Sequence, residues 1–63
     1  MKIQYFSDTD TLYIELRQAT VMDTRDLDEN TIIDLDAAGQ IVGITLEHAR
    51  TRANLPEIEL SGV

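Results

Sequence analysis

The sequence predicts an α+β fold, mostly β: a small antiparallel sheet of two hairpins plus an edge strand, followed by a short C-terminal helix. Three observations predict it. Apolar residues alternate with period two on both sides of Ser7-Asp8-Thr9-Asp10. They do so again on both sides of Asp36-Ala37-Ala38-Gly39. The period then changes, and Leu46, Ala49 and Ala53 fall at helical spacing.

Each element follows in chain order. Ile3 and Tyr5 share a side of the first strand, and Leu12, Ile14 and Leu16 share a side of the second. Two such runs around a four-residue turn read as a β-hairpin. Thr20 to Arg25 reads as a short edge strand whose charges discourage edge-to-edge pairing. Asp26 to Asn30 reads as an acidic connection. Thr31 to Asp36 and Gln40 to Glu47 form the second hairpin, with Ile33 and Leu35 on one face beside Val42, Ile44 and Leu46. Tyr13, Ile32 and Ile41 point the other way. A helix is expected over Glu47 to Asn54, stopped by Pro56. Residues 1–54 thus form one domain, and 55–63 a tail.

The turn stretch Asp34 to Ile44 also invites a calcium reading, since it opens Asp-x-Asp with Gly39 at the sixth place. An EF-hand loop needs a ligand at its fifth place and a bidentate Glu at its twelfth. Those places hold Ala38 and Thr45. The flanks alternate as strands, whereas an EF-hand loop joins helices. A hairpin turn accounts for every residue: Asp36 accepts from backbone N–H groups ahead of it, and Gly39 takes the left-handed position. Gly43, inside a strand, marks a bulge or a close approach, for which Tyr13 is one candidate.

Composition narrows the function classes. A chain of 63 residues buries only ~60% of its unfolded surface, so its core is marginal. It has no cysteine to staple the fold, and association with a second copy or another protein is the ready source of more burial. The net charge of -7 argues against nucleic acid and favours encounter with basic partners. No apolar run approaches the ~20 residues of a membrane span, and no signal-peptide core opens the chain, so a cytoplasmic protein with no membrane contact is expected.

Met1-Lys2-Ile3-x-Tyr5, Asp10-x-Leu12-Tyr13-Ile14-x-Leu16 and Ile33-Asp34-Leu35-Asp36-x-x-Gly39-x-Ile41-Val42-Gly43-Ile44 together resemble the small bacterial domain-of-unknown-function family 2283. The likeness runs from Met1 to about Ala49. Phe6 stands where members usually carry Asp, and Thr9 where Ala often precedes the family's Asp. The resemblance implies a compact β-rich domain with no established activity. It also suggests an antitoxin-like or partner-binding role.

Few residues carry candidate chemistry. His48 is the only histidine and has no second ligand at metal spacing. Asp8, Asp10, Asp34 and Asp36 would hold a hard cation if both hairpin turns lay at one end of the sheet; turn chemistry alone also explains them. No nucleophile–base pair and no Gly-rich phosphate loop is visible, so no catalytic residue, metal or cofactor is assigned and a non-enzymatic protein is expected. Arg50 and Arg52 read either as a contact with an acidic patch or as a solvated helix end. Leu55, Ile58 and Leu60 of the tail read either as a strand added to a partner or as a segment docked on the protein's own sheet. The expected function is a homodimeric protein-interaction module, an antitoxin-like partner of a small basic protein; the alternative is a small-ligand or divalent-cation domain using the turn carboxylates.

Overall fold

The computed structural model describes residues 1–53. The boundary expected at residue 54 and the tail 55–63 lie outside them. Five strands form one antiparallel sheet: β1 (Lys2–Phe6), β2 (Thr11–Glu15), β3 (Asp23–Asp28), β4 (Thr31–Leu35) and β5 (Ile41–Glu47). Their order is β1-β2-β5-β4-β3, so the last of the described strands sits at the centre. A four-residue helix, α1 (Ala49–Arg52), follows.

The alternating segments form strands where the sequence places them. The Asp36 turn takes the expected shape. Gly39 has φ 79, its N–H donates to the Asp36 carbonyl at 3.0 Å, and the Asp36 N–H donates to the Gln40 carbonyl at 2.9 Å. The Asp36 carboxylate accepts from the Ala38 and Gln40 N–H groups, each at 2.9 Å. Gly43 satisfies both expectations at once. A register shift beside it sets Asp34 opposite Gly43 and Leu35 opposite Ile41, with Val42 as the extra residue of a bulge. Tyr13 also lies over it: a Cβ at Gly43 would fall 2.9 Å from Tyr13 Cζ and closer still to the hydroxyl.

Two boundaries differ from expectation. The edge strand runs Asp23–Asp28 rather than Thr20–Arg25, and the acidic stretch is itself strand up to the Glu29-Asn30 turn. All six β3 residues are exposed, so no buried face imposes alternation on them. Backbone pairing with β4 and the Asp28 carboxylate, which accepts from the Asn30 N–H at 2.8 Å, define this hairpin instead. The helix begins at Ala49, not Glu47, because β5 stays paired to its end: Glu47 is opposite Thr11 and its N–H donates to the Asn30 carbonyl. His48 makes the break in the left-handed region, at φ 55.

Candidate interaction surface

Cross-strand register decides which side chains share a face. Ile3, Ile14, Ile44 and Ile33 are successive partners across four neighbouring strands, so they form one row. Beside it run Tyr5, Leu12, Leu46 and Thr31. The opposite face carries Gln4, Tyr13, Thr45, Ile32 and Asp26 as its central row.

Leu12, Leu35 and Val42 are buried, but the isoleucine row is only half-buried. No large side chain among the described residues is fully enclosed. Among the described residues the strong contacts between elements all join neighbouring strands, and none packs a second layer across the sheet. Among the described residues no second layer covers this apolar row at the middle of the sheet.

One end of the sheet is built around Asp10. This residue takes φ 53, outside the usual range for a residue with a Cβ. Its carbonyl accepts from the Ala49 N–H, and its carboxylate accepts from the Arg50 N–H at 3.1 Å and the Tyr5 hydroxyl at 2.7 Å. These partners favour the charged form: the Tyr5 bond, then Arg50, hold the Asp10 carboxyl below its ordinary value. The same bond raises the Tyr5 hydroxyl. The Arg50 guanidinium lies 6.0 Å from the Tyr5 ring centroid.

Arg52 clamps the helix to the β3–β4 turn. Nη1 donates to the Asn30 and Glu47 carbonyls at 2.6 and 3.2 Å, and Nη2 donates to the buried Thr31 hydroxyl at 2.6 Å. Both arginines therefore have partners within the chain, and Arg50 stays two-thirds exposed. Leu55, Ile58 and Leu60 lie outside the described residues. The Asp10 corner escaped the sequence reading because its members are distant in the chain. The one local signal was an Asp placed immediately before a strand.

The cation arrangement is not assembled. Thr11 is opposite Glu47 and Glu15 is opposite Gly43, so the Asp8–Asp10 turn and the Asp36 turn lie at opposite ends of the sheet. Antiparallel pairing of β2 with β5 separates the four carboxylates. No group of three or more possible metal-ligating side chains converges among the described residues. Asp36 instead pairs with Arg17, and the Gln40 N–H and then Arg17 keep its carboxyl below the ordinary value. His48 is exposed and makes no side-chain cap bond to α1. A shallow recess of about 250 Å³ is lined by Met1, Lys2, Glu15, Arg17 and Gln18. Among the described residues no helix is long and apolar enough to cross a membrane.

Fold and surface together define a single-sheet antiparallel domain with one apolar face. The family model for "Protein of unknown function (DUF2283)" matches residues 2–50, and the chain belongs to that family. No match is found among curated proteins or among solved structures.

Proposed function

We propose that this chain is a non-enzymatic protein-interaction module that works as a homodimer, two copies stacking their apolar sheet faces. The observation that carries the reading is the half-buried isoleucine row Ile3, Ile14, Ile44 and Ile33. A sheet with one apolar face needs a second layer, and an aligned sandwich of two sheets supplies it. The molecule extends 32 × 32 Å in its two longer directions, so a disc of that size presents roughly 800 Å², what one partner buries in a standard interface. The chain's net charge of -7 suits a basic protein partner in the antitoxin-like manner.

Sedimentation velocity across micromolar to hundred-micromolar concentrations tests the dimer. The wild type should sediment as a dimer or a larger even-numbered assembly. Ile14→Asp places a charge within the row and should weaken association by about 2 kcal/mol or more, roughly thirtyfold in Kd. A wild-type chain that stays monomeric throughout the range refutes the reading.

A further inference from the structure

The sheet ends on two strands, β1 and β3, and they are built differently. An outer strand presents unpaired backbone N–H and C=O groups, and proteins blunt such edges with charge and with bulges. β3 has both protections: Asp23, Asp26 and Asp28, and a register shift between Asp26 and Asp28. β1 has neither. Its five residues pair one for one with β2, it carries no carboxylate, and its only charge is Lys2. Among the described residues nothing lies beyond it.

We infer that the β1 edge pairs with β1 of a second copy, antiparallel about a two-fold axis at Gln4, to make one continuous sheet. The register is self-complementary. Ile3 meets the partner subunit's Tyr5, Lys2 meets the partner subunit's Phe6, and Gln4 meets its own image, whose amide offers both donor and acceptor. No like charges oppose each other. Ile3 and Tyr5 lie on the apolar face, so the isoleucine row continues across the junction into an aromatic ring. Tyr5 is already held in place by Asp10 and Arg50. Phe6, 45% exposed, and Met1, 75% exposed, gain neighbours at the two ends of the junction. The inference shares with the homodimer reading only its use of a second copy; the contact is a different one, and face stacking would join two such extended sheets.

The chain has no cysteine, so single substitutions report on single positions. Directly opposed residues in an antiparallel pair have Cα atoms about 4.5–5.5 Å apart, within disulfide range. Full-length Gln4→Cys should cross-link rapidly to a covalent dimer on mild oxidation, and Asp26→Cys on the other edge should not. Gln4→Lys and Gln4→Glu should each weaken self-association several-fold, and an equimolar mixture of the two should restore it, because only a two-fold at this residue brings position 4 beside itself. Cross-linking of Gln4→Cys no faster than Asp26→Cys overturns the inference. So does amide protection of β1 that is independent of protein concentration, the result expected if residues 54–63 of the same chain take the edge. Repeating the cross-linking with Ile14→Asp also present separates the two contacts: a surviving edge cross-link beside lost face association leaves this inference standing alone.

Discussion

Tyr13 and Gly43 show how one residue licenses another. The ring lies across the glycine on the less apolar face, and desolvation, followed by the Asp34 and Glu15 charges, raises its hydroxyl above the ordinary value. A methyl at position 43 must displace the ring or the strand. Gly43→Ala should cost about 1–3 kcal/mol in denaturant unfolding. Tyr13→Phe in that background should recover part of the loss, because the hydroxyl is the nearest atom. Equal losses with and without the hydroxyl would move the cause from the ring to the backbone. The sequence already pointed to this pair, since a glycine inside a strand calls for a neighbour that comes close.

At the scale of elements, legibility followed burial. β1, β2, β4 and β5 each have one apolar side, and alternation revealed them. β3 has no buried residue, so its position depended on pairing partners that no local window contains. The sequence starts the helix two residues early because Glu47 carries no sign that its backbone is committed to β2 and to Asn30. The switch between strand and helix at His48 is made by a side chain with no bond to the cap and a backbone at φ 55. Glycine accepts that conformation without the Cβ clash, although it loses more chain entropy on folding. His48→Gly should therefore raise stability by about 0.5–1 kcal/mol, read from the urea midpoint. Asp10→Gly has the same backbone sign, yet it should lower stability, because the carboxylate's bonds to Tyr5 and Arg50 go with it. A destabilised His48→Gly would show that the imidazole has a structural contact of its own.

For the whole molecule, acid response follows from three carboxylates at the two ends of the sheet. Asp10, Asp28 and Asp36 are all held below their ordinary value of 3.8, by Tyr5, by the Asn30 N–H and by the Gln40 N–H first in each case. A carboxyl depressed in the fold adds stability above its unfolded pKa and loses it as pH falls through the folded one. The melting temperature should stay level from neutrality to about pH 5 and fall below about pH 4. Asp36→Asn should lower the plateau and make the acid limb shallower. An unchanged limb would assign the acid transition to the other carboxylates. Global arrangement is the least legible level: local residues define both hairpin turns, but their placement at opposite ends depends on which strands become neighbours.

Strand order also bears on synthesis. The centre of the sheet is the last of the five described strands to leave the ribosome, since β5 joins β2 to β4. Until it emerges, the nascent chain holds two hairpins with no strand between them, and an isolated hairpin is marginal in water. Assembly of the five-stranded sheet therefore waits until β5 has been made. A transcript broken before the codons of β5 yields a product with no route to the native sheet and both hairpins open to proteolysis.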